Sequence, residues 1–163
     1  DGLNRLAKVT QADPDGAGTQ TSPEIDYAYD AVGNLISMTD PLGNVTSFAY
    51  DVLNRRTSLT DPAGEQTSMQ YDAAGNLVAA IDALGRVTVY VYDALNRNVE
   101  MTAPDPDASG PQTAPVTRYT FDAEDNLLLV TDALGRVTLY GYDALNRRKS
   151  ITDALLNTEA PLA

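Results

Sequence analysis

Tyr90-Val91-Tyr92-Asp93-Ala94-Leu95-Asn96-Arg97 reads as a strand that ends in a tyrosine and runs straight into a tight turn. The same junction returns at Tyr29-Asp30, Tyr50-Asp51, Tyr71-Asp72, Phe121-Asp122 and Tyr142-Asp143. Counted through all six, the spacings are 21, 21, 21, 29 and 21 residues. Asp1-Gly2-Leu3-Asn4-Arg5 is a seventh copy of the turn. A fixed period in this range marks stacked supersecondary units, each leaning on its neighbours.

Each regular unit holds two strands and two turns. Leu35–Thr39 leaves the first turn, Asp40-Pro41-Leu42-Gly43-Asn44 turns the chain at the opposite edge, and Val45–Tyr50 returns. Asp61-Pro62-Ala63-Gly64 and Asp82-Ala83-Leu84-Gly85 repeat the opposite turn, as does the Gly135 segment. Aspartate side chains accept from backbone N–H groups two residues on, proline fixes φ, and glycine takes φ > 0. Gly33, Gly43, Gly64, Gly75, Gly85 and Gly135 are the turn glycines. Strands of five or six residues plus two turns fill the period, which leaves no room for a helix of useful length. The expected fold is all-β: tandem antiparallel hairpins forming a curled or spiral, solenoid-like sheet.

Alternation assigns the faces. One face of the return strands carries Thr46, Phe48 and Tyr50, and likewise Thr88, Tyr90 and Tyr92, so stacking makes aromatic and threonine ladders. On the outgoing strands Ile36 and Met38 are expected to share a face. The position before them changes from Leu35 to Arg56, Leu77, Asn98, Leu127 and Arg148, as at a partly exposed site.

Two eight-residue insertions interrupt the rhythm, near 11–24 and 103–115, at an offset of 92 residues. A second rhythm alternates Asp-x-Leu-Asn-Arg turns at 1–5, 51–55, 93–97 and 143–147 with turns bearing Gly33-Asn34, Gly75-Asn76 and Asp125-Asn126. Different surroundings for successive hairpins, or internal duplication, would each produce it. Repeats extend over 1–157. Asp153-Ala154-Leu155 matches the opposite turn, and 158–163 is either a tail or a strand pairing outside the chain.

The formal net charge of −12, from 23 acidic and 11 basic residues, argues against nucleic acid or an anionic membrane as partner. No run approaches the length of a membrane-spanning helix. The sequence has no cysteine and no histidine, so disulfides, thiol chemistry and a histidine base or zinc ligand are excluded. An enzyme is not expected, nor a cofactor. Asp13, Asp15, Asp105 and Asp107 are the candidates for Ca²⁺ oxygen ligands. Their Asp-Pro-Asp spacing lacks the EF-hand loop, and the plain reading is a solvated turn. The start at Asp1, partway through a repeat, suggests a piece of a longer or processed polypeptide.

The recurrent Tyr71-Asp72-Ala73-Ala74-Gly75-Asn76-Leu77 pattern, with Thr39-Asp40-Pro41-Leu42-Gly43, resembles the RHS/YD repeat family over nearly the whole chain. That resemblance implies hairpins wound into a spiral sheet. In bacterial polymorphic toxins and insecticidal toxin complexes such a sheet closes as a hollow shell around a toxic C-terminal payload. In teneurins a related barrel serves cell-surface adhesion. The family's shells are much longer than seven units, and their self-cleaving closing segment has no match here. The leading expectation is a structural, extracellular or cell-surface protein of bacterial type, forming the wall of a fibre by end-to-end association through its end strands or by further repeats. The alternatives are a fragment of a toxin-enclosing shell and an adhesion module whose insertions bind a protein or glycan.

Overall fold

A computed structural model describes residues 1–16, 22–107 and 112–154. It contains thirteen strands: β1 (Lys8–Thr10), β2 (Glu24–Tyr29), β3 (Leu35–Thr39), β4 (Val45–Tyr50), β5 (Arg56–Thr60), β6 (Gln66–Tyr71), β7 (Leu77–Ile81), β8 (Val87–Tyr92), β9 (Asn98–Thr102), β10 (Val116–Phe121), β11 (Leu127–Thr131), β12 (Val137–Tyr142) and β13 (Arg148–Ala154). The fold is all-β, built from periodic antiparallel hairpins in an open, solenoid-like arrangement.

Two compact units divide the chain, residues 1–69 with 81–85 and residues 70–80 with 86–163. In the first, β1 to β6 pair antiparallel in chain order. In the second, β8 to β13 do the same. Chain neighbours are sheet neighbours, because each connection is a short turn whose geometry fixes the register.

Alternation accounts for most of the facing, but a bulge changes it at one point in each unit. Tyr27 pairs with Met38 and Ala28 with Ser37, yet Tyr29 pairs with Leu35, so Ile36 is skipped. The same slip sets Tyr50 opposite Arg56, Tyr92 opposite Asn98, Phe121 opposite Leu127 and Tyr142 opposite Arg148. An extra residue on one strand reverses the facing beyond it. The residue whose facing changes is Leu35, which comes to stand opposite Tyr29 on the side of Tyr27 and Met38. Ile36 is the skipped residue, 39% exposed, and the position that varies from Leu to Arg to Asn is the one opposite the tyrosine.

Two boundaries also differ from expectation. The first strand is shorter than Leu6–Thr10. At the other end Asp153 and Ala154 continue β13, paired with Thr138 and Val137, instead of turning. The physical reason is in the sequence. Leu156 occupies the place where Gly43 and Gly135 adopt φ of 82° and 77°, a conformation that a Cβ disfavours. Asp153 instead accepts a hydrogen bond from the Thr138 hydroxyl at 2.9 Å. Residues 158–163 lie outside the described residues.

Neither face is sealed. Along β2, β4 and β8 burial alternates between exposed and half-buried. Among the described hydrophobic residues only Ala79 is buried. Val87, Val89 and Val91, on the face away from the aromatic ladder, are all exposed. Among the described residues each unit is a single antiparallel layer with no second layer upon it, whereas a sheet normally buries one face against another element.

Candidate functional site

The features that distinguish this sheet lie along one of its edges, at the turns that follow the tyrosines. Each turn is organised by its first aspartate. The Asp30 carboxylate accepts from the backbone N–H groups of Val32, Gly33 and Asn34 at 3.0, 2.8 and 2.8 Å. The Asp51 carboxylate accepts from those of Leu53 and Arg55 at 2.9 and 3.0 Å. A backbone bond from Asp51 N–H to the Arg55 carbonyl, 2.9 Å, closes the loop. The fourth residue is left-handed in both kinds of turn, with φ of 101° at Gly33 and 60° at Asn54 and Asn96. Asparagine is among the few non-glycine residues that tolerate this region.

The fifth residue does two jobs. Within the turn it binds the second carboxylate oxygen of the aspartate. Asn34 does so through Nδ2 at 2.9 Å and Arg55 through Nε at 2.7 Å. It then reaches the next turn. Asn34, Asn76 and Asn126 each donate from Nδ2 to the Oδ1 of Asn54, Asn96 and Asn146, at 2.9, 2.9 and 3.1 Å. Going the other way, Arg5 donates from a terminal guanidinium nitrogen to the Asp30 carbonyl at 2.9 Å, and Arg97 to the Asp122 carbonyl at 2.8 Å. The same guanidinium groups stand over the Tyr29 and Phe121 rings, 4.8 and 5.0 Å from the centroids, a cation–π distance. The alternation of turn types is thus a physical code. At Arg5 and Arg97 an arginine turn grips the asparagine turn after it, and at Asn34, Asn76 and Asn126 an asparagine turn grips the arginine turn after it.

These contacts hold the carboxyl groups below their ordinary range. For Asp72 and Asp122 the chief cause is the side-chain amide of Asn76 and Asn126. For Asp51, Asp93 and Asp143 it is the backbone N–H of Arg55, Arg97 and Arg147. Hydrogen bonds to a carboxylate favour its charged form.

The anchor aromatics Tyr29, Tyr50, Tyr71, Tyr92, Phe121 and Tyr142 each end a return strand, and the next residue, Asp30, Asp51, Asp72, Asp93, Asp122 or Asp143, opens a turn. The hydroxyls of Tyr29, Tyr50 and Tyr142 each have a defined backbone partner. Tyr29 donates to the Leu6 carbonyl at 2.9 Å, Tyr50 to Leu35 at 3.0 Å and Tyr142 to Leu127 at 3.1 Å. The last β3–β4 pair on that side is Ser37 with Ser47, so Tyr50 bridges strands where the ladder has stopped. On the aromatic face a shallow groove of about 280 Å³ lies among Tyr90, Asn98, Met101, Tyr119, Phe121 and Leu127.

The turn glycines are distributed over both edges. Gly33 and Gly75 stand at the tyrosine edge, and Gly43, Gly64, Gly85 and Gly135 at the opposite edge, all with positive φ. The insertions are pinned at matching necks, Gln11 N–H to the Pro23 carbonyl and Ala103 N–H to the Pro115 carbonyl, both 2.8 Å. Their aspartates turn toward their own loops: Asp13 accepts from Asp15 N–H at 3.1 Å and Asp105 from Asp107 N–H at 3.2 Å. Among the described residues no group of three or more His, Cys, Asp or Glu is placed to hold a metal ion, and the four aspartates lie in two separate loops.

The RHS repeat model matches residues 29–66, 71–108 and 121–158, well over half of the sequence. The chain belongs to the RHS repeat family. A comparison with curated proteins gave no match. Among solved structures this RHS repeat chain resembles a TcdB2-TccC3-Cdc42 crystal structure, with TM-score 0.67 and 22% identity over 82% of the chain. It also resembles a Photorhabdus luminescens Tc holotoxin pore structure, with TM-score 0.65 and 22% identity over 80% of the chain. The RHS repeat chain spans 7% of the length of each of these chains.

The asparagine and arginine links between turns were not read from the sequence, although the alternation that encodes them is visible there. The bulge had no sequence signal except the varying residue now found opposite each tyrosine.

Proposed function

We propose that this RHS repeat chain is a segment of the wall of a hollow β-shell that encloses a polypeptide payload, in a secreted bacterial protein. One observation carries the reading. Hairpins in register make a layer with no core of its own, and the likeness to the TcdB2-TccC3 structures covers 82% of this chain but 7% of theirs. Such a layer suits a wall, because hydrophobic surface that stays half-exposed here gains burial only from more repeats or from contents. An end-to-end fibre, the leading expectation from the sequence, has less support, since the matched structures are toxin assemblies. Partners on this reading are further repeats of the same polypeptide and an enclosed segment.

The test is to express the full reading frame that contains these repeats and image the product by cryo-electron microscopy, with limited proteolysis in parallel. A closed shell with a protease-protected internal segment is expected. A solid fibre, or an open ribbon with every segment digested at the same rate, would overturn the proposal.

A further inference from the structure

The Arg147 turn leads into β13 and differs from its counterparts in exposure. Arg5, Arg55, Arg97 and Arg147 are equivalent, and each binds the aspartate of its own turn. The first three side chains are only 24%, 25% and 21% exposed, whereas Arg147 is 74% exposed. At Arg5 and Arg97 the half-buried guanidinium donates to the carbonyl of the next turn's leading aspartate. In both cases the accepting turn is of the asparagine type. At the other end Asn4 is equivalent to Asn54, Asn96 and Asn146, whose Oδ1 atoms each accept from an asparagine turn.

We propose that β13 and the Arg147 turn accept a hairpin led by an asparagine-type turn, Asp-x-x-Gly/Asp-Asn, and discriminate against one led by an arginine-type turn. The asparagine turn offers Arg147 a backbone carbonyl and carries no charge at its fifth position. An arginine turn would bring a second guanidinium beside Arg147, and like charges at close range repel. The first tyrosine-edge turn of one unit, 1–5, and the last of the other, 143–147, are both of the arginine type. Two copies joined head to tail would therefore set arginine turn against arginine turn. The partner that fits is another hairpin of this repeat with the opposite turn type. This rests on the wall reading only in requiring further repeats, and it is tested apart from enclosure.

The experiment replaces residues 153–163 of the full chain with a copy of residues 61–81, which brings the asparagine-type turn of 72–76. A matched chain carries the arginine-type turn of 93–97 in its place. Each extension is made with and without Arg147→Gln, and far-ultraviolet circular dichroism and thermal midpoints are recorded. The asparagine-type extension should add strand signal and melt roughly 2–4 °C above the arginine-type one, and R147Q should erase that gap. Equal midpoints, a gap that survives R147Q, or no added strand signal in the asparagine-type chain would each overturn the proposal. A shell that fails to enclose a payload would leave this result standing.

Discussion

The two edges of the sheet use the same turn for different ends. At both, an aspartate gathers the N–H groups of a five-residue loop: Asp40 accepts from Leu42 and Asn44 at 2.8 and 2.9 Å, much as Asp51 accepts from Leu53 and Arg55. The fifth residues diverge. Asn34, Arg55, Asn76, Arg97 and Asn126 at the tyrosine edge are half-buried, while Asn44, Glu65, Arg86 and Arg136 at the opposite edge are exposed. Arg136 binds Asp132 within its turn and is still 64% exposed. At the opposite edge the carboxylates of Asp40, Asp61 and Asp132 accept within their own turns. At the tyrosine edge Asn34, Asn76, Asn126, Arg5 and Arg97 reach the following turn. Local turn chemistry is the same at both, so the tie depends on how close the next turn lies, and there the bulge and the tyrosine hydroxyls act.

Acid should affect both edges together and produce the largest change. The turn aspartates, Asp40 at one edge and Asp51 and Asp93 at the other, have carboxyl groups held below the ordinary range. Because the folded value lies below the unfolded one, their stabilisation is complete above about pH 4 and is lost as pH falls through the folded values. With no histidine in the sequence, thermal midpoints should stay level from about pH 5 to 7 and then drop steeply. A midpoint that rises on acidification would contradict the turn geometry.

Asn54→Val probes the tied edge alone. It places a β-branched residue at a φ of 60° and removes the acceptor for Asn34, a combined cost of about 2–3 kcal/mol. Asn54→Gly keeps the backbone and loses only the acceptor, about 1 kcal/mol or less. Equal losses in urea melts would mean that the left-handed backbone at position 54 adds nothing to the lost acceptor, and no loss in Asn54→Gly would mean that the Asn34–Asn54 bond contributes nothing.

Asn34→Ala against Asn44→Ala is the smallest and most direct comparison. Each removes the amide bond to its own aspartate, 2.9 and 2.8 Å long. Only Asn34 also reaches another turn. The excess destabilisation at Asn34 should be about 0.5–1 kcal/mol, and equal effects would erase the distinction between the edges.

What the sequence determined by itself was the repeat: its period, the strand and turn positions, the all-β class and the absence of a helix. These follow from local rules, since alternation, Asp-led turns and glycine at left-handed positions act over a few residues. The continuation of β13 through Asp153 and Ala154 also has a counterpart in the sequence, Leu156 in the place of the turn glycine. The tertiary structure decided which residue faces Tyr29, because a one-residue bulge reverses the facing without any change of composition. It also decided that Arg97, while bound to Asp93 of its own turn, reaches on to Asp122, 25 residues along and beyond an insertion. Such a bond depends on the distance between strands that only the packed sheet fixes, and no local pattern carries that distance.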